Sequence, residues 1–337
     1  MREDRNPSEE IGRNVVAIGG GNGLSTLLYG LKSYVFPDGG VSISIAKLSA
    51  IVAVSDDGGS SGRLREELQM LPPGDIRNCM VALSEDSRLL SKLFAYRFRG
   101  GGDLGGHSFG NIFLAALTEM TGDFTEAVRL SSEILASKGH IYPATMADVR
   151  LAALLEDGST VRGESNIGRV GRAIRRLYLE PETCEPLPDT LVAIREADII
   201  TIGPGSLFTS LLPPLLVDGV AEAIAASKAT KVFICNLMTQ PGETDGFTSR
   251  HHLEIVRDHA PAIKFDFIIV NNFPITPRQQ EIYAHEGAEQ IGVHGSISAS
   301  TIEGVTIIYD NLLQEGEMVR HDPARLAKVV LACPSKH

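Results

Sequence analysis

The sequence is poor in cysteine, and its cysteines lie far apart. There are four, Cys79, Cys184, Cys235 and Cys333, and no two of them form a C-x-x-C pair. Zinc sites and disulfide frameworks use cysteines at short, regular spacings. We therefore expect reduced, packed thiols and exclude a zinc site or a disulfide-stapled domain.

Positive charge and long apolar runs are also scarce. Lys and Arg number 31 against 42 Asp and Glu, a net charge of −11. Affinity for a nucleic-acid backbone comes from accumulated positive charge, so nucleic acid is not an expected partner. No apolar run reaches the ~18 residues needed to span a bilayer, so we expect no membrane insertion. Residues 1–13 are charged and lack an apolar core, which predicts a flexible N-terminal tail and a cytoplasmic protein.

A glycine-rich turn follows the first apolar run. Residues 15–18 are apolar, Gly19, Gly20, Gly21, Asn22 and Gly23 come next, and helix-forming sequence resumes at Leu24. This order predicts a strand, a tight turn and a helix N-terminus, where free amides and the helix dipole favour an anion such as a phosphate. The loop matches neither G-x-G-x-x-G nor a P-loop, which disfavours ordinary NAD binding and P-loop ATP hydrolysis. A merely tight turn is the alternative.

Two further loops also follow predicted strands. Asp56 and Asp57 come after the apolar residues 51–54, and Gly205 and Ser206 come after residues 198–203. In open α/β sheets, ligands bind at the carboxyl ends of strands. The aspartates fit either a magnesium or catalytic site or a turn and cap, and on an extended segment only one of them should face a ligand.

The order of apolar runs predicts the fold class. Apolar strands alternate with helices at the beginning of the chain and again from residue 197, which predicts an α/β fold with a doubly wound, mostly parallel, Rossmann-like sheet. Residues 14–337 should form one domain with an insertion at about 75–185. Within it, a hairpin at 150–164 and a strand at 173–179 predict an antiparallel β part, and the preceding segments predict helices.

Several other polar residues need an interpretation. His107, beside Ser108 and Asn111, fits a phosphate donor or a helix cap equally well. His251, His252 and His259 share one predicted helix without metal-binding spacing, so we expect structural roles. The insertion also carries a basic patch, which fits a solvated strand face or an anion contact; its members are Arg162, Arg169, Arg172, Arg175 and Arg176.

Taken in order, these motifs resemble a known family. The segments GGGNGLS, SDDGGSSGRLR, PPGDIRNC, GHSFGNIFLAAL, GPGSLFTSLLP, CNLMTQPGETDGF and RHDPARLA, within residues 14 to about 331, are similar to the bacterial gluconeogenesis factor family (YvcK-like). That family is related to 2-phospho-L-lactate transferase (CofD-like) and shares its Rossmann-like fold. The resemblance implies a UDP-sugar-binding protein, with UDP-N-acetylglucosamine as the model ligand. It also implies a link between gluconeogenic growth, cell-wall (peptidoglycan) synthesis and cell shape, without an established reaction.

The resemblance also implies a set of ligand-binding residues. They are Gly20, Gly21, Asn22, Gly23, Asp57, Asn111, Gly205, Ser206, Asn236, Thr239, Tyr283 and Arg320. Asp56 and Asp57 are the candidates for catalysis and for metal binding, with no cofactor required and Mg²⁺ as the option. This chain departs from the family pattern in having Asn22 in place of Thr, and a histidine, His251 or His252, in place of Asp.

Three functions therefore stay open. The first is a nucleotide-sugar-binding regulator, and the second is a magnesium-dependent phosphotransferase like the transferase relatives. The third is a scaffold for a partner enzyme, with amino-sugar or cell-wall synthesis as its setting. A homo-oligomer is expected only because symmetric oligomers are common.

Overall fold

We describe a computed structural model, which covers residues 12–36, 43–85, 88–292 and 300–334. Most of the predicted N-terminal tail, residues 1–11, lies outside this described part. Within the predicted tail, Arg13 is instead the first residue of the first strand.

Eight strands form the main sheet, in the spatial order β10-β11-β9-β8-β7-β1-β2-β3. All neighbouring pairs are parallel except β10 with β11. β7 and β8 are buried along their whole length, as expected for parallel strands covered on both faces. The strands of this sheet are β1 (Arg13–Gly19), β2 (Ile45–Val52), β3 (His140–Pro143), β7 (Ile199–Ile202), β8 (Thr230–Ile234), β9 (Phe267–Asn271), β10 (Thr301–Ile302) and β11 (Val305–Asp310).

Helices fill the connections between these strands. α1 packs against both α3 and α13, and α8 packs against α10. Their bounds are α1 (Gly21–Leu31), α2 (Gly59–Leu68), α3 (Gly74–Leu83), α4 (Arg88–Ala95), α5 (Phe109–Thr121), α6 (Phe124–Ile134), α7 (Glu164–Ile167), α8 (Pro188–Glu196), α9 (Leu212–Leu215), α10 (Val220–Ala226), α11 (Ser249–His259), α12 (Pro277–His285) and α13 (Pro323–Ala332). The predicted α/β fold with a mostly parallel sheet is confirmed.

A small antiparallel sheet projects from the main one. It has the order β5-β4-β6, formed by β4 (Arg150–Leu155), β5 (Thr160–Arg162) and β6 (Ile174–Glu180). Gly158 takes a φ of +82° in the β4–β5 turn, a conformation that favours glycine. The antiparallel insertion is therefore confirmed. The predicted insertion range also contains β3, which joins the edge of the main sheet beside β2.

In the described part of the chain, no single helix has the length and apolarity to cross a membrane. One pair of short helical segments, Leu207–Leu215 and Val220–Ala226, meets those criteria jointly but is bent by 75°.

Candidate functional site

The order in which the chain adds strands to the main sheet reverses between β1 and β7, which are parallel neighbours. From β1 the chain builds outward through β2 to β3, and from β7 it builds the other way through β8 and β9. In this topology the carboxyl ends of the two central strands flank a crevice, where ligands of open α/β sheets bind. The two predicted glycine loops follow these two strands, so they lie on either side of the crevice.

The two loops touch through their backbones. A Cβ atom on Gly23 would lie well under 3.0 Å from the Pro204 carbonyl oxygen, and one on Gly205 would lie 3.4 Å from the Gly20 carbonyl oxygen. Gly21, the first residue of α1, has a φ of +61°, and the N-cap residue Gly20 has no side chain to cap the helix. The close approach therefore requires glycine, and the amides of α1 face the crevice without a serine or threonine cap.

The neighbouring aspartates point to different places. The Asp57 carboxylate accepts a hydrogen bond from the Ser165 amide at 2.9 Å, so it anchors the start of α7. The Asp56 carboxylate accepts one from the Gly58 amide at 2.8 Å, and its other oxygen would lie 2.8 Å from a Cβ on Gly74. Asp56 thus faces the crevice, whereas Asp57 holds the antiparallel insertion in place.

Asp75, at the start of α3, lies against the first glycine loop. Its carboxyl accepts a hydrogen bond from the Gly21 amide, and a Cβ on Gly20 would lie 2.5 Å from its Oδ2 atom. Burial and the nearby charge of Asp56 raise the pKa of Asp75 to about 6. An acidic side chain therefore occupies the position at the α1 N-terminus that is suited to an anion.

Two glutamates complete a carboxylate cluster, which we define as Asp56, Asp75, Glu164 and Glu243. Burial, and then the charges of the other acidic residues, raise the pKa of Glu164 to about 9. Burial also raises the pKa of Glu243, although the Ser206 hydroxyl donates to its Oε2 at 2.8 Å and opposes that shift. The cluster therefore binds protons that a cation or a positively charged group could replace.

A cavity of ≈ 330 Å³ opens beside this cluster. Three cluster members, Asp56, Glu164 and Glu243, line it, together with Arg169 and Thr209. The described residues nevertheless contain no group of three or more His, Cys, Asp or Glu side chains that could hold a metal ion. Magnesium commonly uses only one or two carboxylates plus substrate phosphates. The donor set thus fits a metal ion that arrives with a phosphate-bearing ligand better than a resident ion.

Asn236 and Asn111 hold the loops around the crevice. Asn236, after β8, accepts a hydrogen bond from the Gly205 amide at 3.1 Å. Asn111 is buried and donates to the Ser60 hydroxyl at 3.0 Å, and the same hydroxyl lies 3.0 Å from Nδ1 of His107. Burial, with a smaller effect of Arg63, lowers the pKa of His107, so it is neutral near pH 7. Asn111 and His107 therefore tie α2 to the start of α5.

The remaining predicted ligand residues lie after β8, β9 and β11. Thr239 exchanges two hydrogen bonds of 2.8 Å with the Glu289 backbone, and the Tyr283 hydroxyl accepts one from the Val319 amide at 3.0 Å. The carbonyl of Arg320 accepts a hydrogen bond from Gln314. In the described part of the chain, none of these three hydrogen-bonds to the glycine loops. Their proposed contacts with a ligand stay predictions.

The three histidines of α11 have structural partners. His251 forms a capping box with Thr248, and His252 is buried with Nδ1 on the Thr248 carbonyl oxygen. Nε2 of His259 accepts a hydrogen bond of 2.9 Å from the Leu177 amide, and this bond attaches the edge strand β6 to α11.

The arginines of the insertion divide into two groups. Arg162 pairs with Glu180 and Arg172 with Asp157, as expected for a solvated strand face. Arg169 instead lines the acidic cavity. The other two arginines, Arg175 and Arg176, line a separate groove beside β6.

Comparison with known proteins agrees with the geometry. The family model for 2-phospho-L-lactate transferase CofD matches residues 15–313. The chain is 46% identical over 320 residues to the gluconeogenesis factor of Halalkalibacterium halodurans, which covers 95% of this chain and 96% of that protein. The chain belongs to the gluconeogenesis factor family, which carries a CofD domain.

Other relatives of this CofD-domain protein give the same result. It is 44% identical to the gluconeogenesis factor of Bacillus subtilis, over 94% of this chain and 96% of that protein. A putative gluconeogenesis factor of Nostoc is 47% identical over 95% of this chain and 68% of its own length. A crystal structure of a Bacillus halodurans protein superposes with a TM-score of 0.87 at 45% identity, over 95% of this chain and all of that one. The predicted family is confirmed.

Sequence reasoning missed three of the four carboxylates in the cluster. Asp75 and Glu243 lie in the segments PPGDIRNC and CNLMTQPGETDGF, which serve only as family motifs, and Glu164 is the last residue of the predicted hairpin. The local pattern around each residue is ordinary for a helix start or a turn. Only the fold brings them together.

Proposed function

We propose that this protein binds a nucleotide sugar, with UDP-N-acetylglucosamine as the model ligand, in the crevice between β1 and β7. The observation that carries the proposal is the contact between the two glycine loops at the point where the strand order of the sheet reverses. A diphosphate needs backbone amides that it can approach closely, and glycine loops at helix starts provide them.

The carboxylate cluster determines how the diphosphate is bound. The Asp75 carboxyl already accepts a hydrogen bond from the Gly21 amide. A phosphate at this position must therefore displace the carboxyl or be joined to it through a cation. Mg²⁺ suits the second arrangement because its preferred ligands are carboxylate and phosphate oxygens. Asp56 and Asp75 would hold the ion, and its charge would offset repulsion between the phosphates and the cluster. We therefore expect Mg²⁺ to strengthen nucleotide binding.

The cellular role that we propose is regulatory. Bound nucleotide sugar would report the supply of amino sugar and adjust carbon flow into cell-wall synthesis and cell shape, through a partner enzyme. The name gluconeogenesis factor, given to the relatives in Bacillus subtilis and Halalkalibacterium, supports a role in carbon metabolism.

Thermal unfolding and calorimetry with UDP-N-acetylglucosamine, with and without Mg²⁺, test this proposal. A ligand at about 100 times its dissociation constant should add about 2.7 kcal/mol to stability. Ser206→Ala should weaken binding, because its hydroxyl lies beside Gly205 and holds Glu243. Ser132→Ala is the matched control, since that hydroxyl bonds only within α6. If no UDP-sugar stabilises a correctly folded protein, the proposal fails.

The carboxylate cluster also supports a second candidate, a magnesium-dependent phosphotransferase. Asp56 faces the cavity and could help to hold Mg²⁺ on a nucleotide leaving group, as the transferase named in the family model suggests. Phosphorus NMR of the nucleotide sugar with Mg²⁺ and the protein would detect turnover. This function predicts that Asp56→Asn abolishes turnover in a folded protein, whereas Asp57→Asn mainly loosens α7. An unchanged nucleotide sugar after long incubation, with or without a hydroxylated acceptor, argues for the regulator.

A further inference from the structure

A second cavity, distinct from the crevice, lies on the outer surface of α1, α3 and α4. Its volume is ≈ 620 Å³. Three cationic side chains line it, Lys32, Arg77 and Lys92, and none of its described lining residues is an aspartate or a glutamate. This is unusual in a chain of net charge −11. It shares no lining residue with the acidic cavity beside Asp56.

Two of the cations are held in place by the protein. Nζ of Lys32 donates to the Ser84 carbonyl oxygen at 2.9 Å and lies 4.4 Å from the centre of the Tyr29 ring. Arg77 is half-buried, and its guanidinium donates to the Asn78 side chain. Burial and then the neighbouring Arg97 lower the pKa of Arg77, while the smaller effects of Asp75 and Asp56 oppose that shift, so an added negative charge would still be favourable there.

The third cation, Lys92, is exposed and makes no ion pair in the described part of the chain. A long, solvated lysine can reach toward a ligand at little cost to the fold. The cavity thus combines two fixed positive charges with one adaptable charge.

The neutral groups of the cavity add hydrogen-bonding capacity. The hydroxyls of Ser25 and Thr26 donate to the Asn22 carbonyl oxygen at 3.0 and 2.8 Å, so their lone pairs can accept further hydrogen bonds. Asn78 and Gln314 supply amides, and the Tyr29 side chain, 54% exposed, offers a flat surface. Hydroxyl-rich ligands use such acceptors, amides and aromatic faces together.

We propose that this cavity binds a small phosphorylated, hydroxyl-bearing molecule of sugar-phosphate type, with its phosphate on the three cations. The volume lies in the range of small-molecule pockets and is too small for a folded partner. Clustered lysine and arginine donors form charge-assisted hydrogen bonds with phosphate oxygens. The inference does not depend on nucleotide binding, because the two cavities have different walls.

Calorimetry with glucose 6-phosphate, glucose and inorganic phosphate tests the proposal. Glucose 6-phosphate should bind more tightly than inorganic phosphate, and glucose should bind least. Lys92→Gln should weaken glucose 6-phosphate binding about tenfold, the loss expected for one hydrogen bond to a charged group. Lys228→Gln is the matched control, since Lys228 is exposed and lies outside the cavity.

Three results would overturn the proposal. One is equal weakening by Lys92→Gln and Lys228→Gln, which would mean general electrostatic attraction. Another is loss of glucose 6-phosphate binding in Ser206→Ala, which would place the ligand at the glycine loops. Absence of glucose 6-phosphate binding to the wild-type protein would overturn it as well. Circular dichroism of each variant confirms that the fold is intact.

Discussion

Glu164 should make this protein less stable as the pH rises through neutrality. Its pKa is about 9 in the folded protein, against an ordinary value of 4.5, because it is partly buried beside other carboxylates. The folded state keeps the proton up to about pH 9, whereas the unfolded state releases it above about pH 4.5. The stability that the protonated carboxyl contributes is therefore complete below 4.5 and is lost as the pH rises to 9.

The size of the effect follows from the same shift. Each pH unit between the two pKa values costs about 1.4 kcal/mol, so from about pH 6.5 to about pH 8 the loss is on the order of 2 kcal/mol. Glu164→Gln carries no proton to release and should lack this loss. The free energy of unfolding of the variant, minus that of the wild type, should therefore increase by about that amount as the pH rises across this interval.

Urea unfolding followed by circular dichroism measures this difference, and the chain has no tryptophan to report by fluorescence. Taking the difference between variant and wild type cancels the histidines and the other carboxyl groups to first order. The exposed Glu119, on α5, makes no ion pair in the described part of the chain and serves as the control. Glu119→Gln should run parallel to the wild type. If Glu164→Gln also runs parallel to the wild type, Glu164 is already ionised in the folded protein, and the carboxylate cluster does not hold a proton there.

Two further substitutions test packing around the site. Gly23→Ala should destabilise the protein by about 1–3 kcal/mol, because the new methyl group collides with the Pro204 backbone, whereas Gly101→Ala has open space around it and should change little in thermal unfolding. Arg65→Ala should cost about 1.5–3 kcal/mol in urea unfolding, since this buried guanidinium donates hydrogen bonds to the Asp148 carboxylate and to the Val149 carbonyl oxygen just before β4. Arg278→Ala removes only an exposed ion pair and should cost less than about 1 kcal/mol; an equal loss in both would contradict the assigned role of Arg65.

Much of the fold could be predicted because its strands are continuous and apolar. Residues 199–202 and 230–234 are buried on both faces, and the sequence indicates this by mostly apolar runs that lack a period-2 alternation. The turn residues at 156–159 likewise predicted the antiparallel hairpin. The strand β3 was not predicted, since its four residues, one of them Pro143, carry no periodic pattern. Its place beside β2 depends on how the preceding helices pack.

The site was predictable in part, for a related physical reason. A glycine loop after a strand is a local feature, so both glycine loops could be proposed from the sequence. The carboxylate cluster is different, because Asp56, Asp75, Glu164 and Glu243 come from four separate segments and each has an ordinary local role. Burial raises the pKa values of Asp75, Glu164 and Glu243, and for Asp75 and Glu164 the neighbouring carboxylates raise them further.

The two parts of the site together limit what its ligand can be. The glycine loops favour an anion, yet Asp75 already presents a carboxyl to the Gly21 amide. A bare anion would meet the repulsion of this carboxyl and of Asp56, since like charges at short range disfavour each other. A phosphate that binds together with a divalent cation avoids this repulsion, because phosphate and carboxylate oxygens both coordinate the cation. We therefore expect the site to favour a metal-bound diphosphate over a free monovalent anion, and we attribute this preference to the carboxylates and not to the glycine loops.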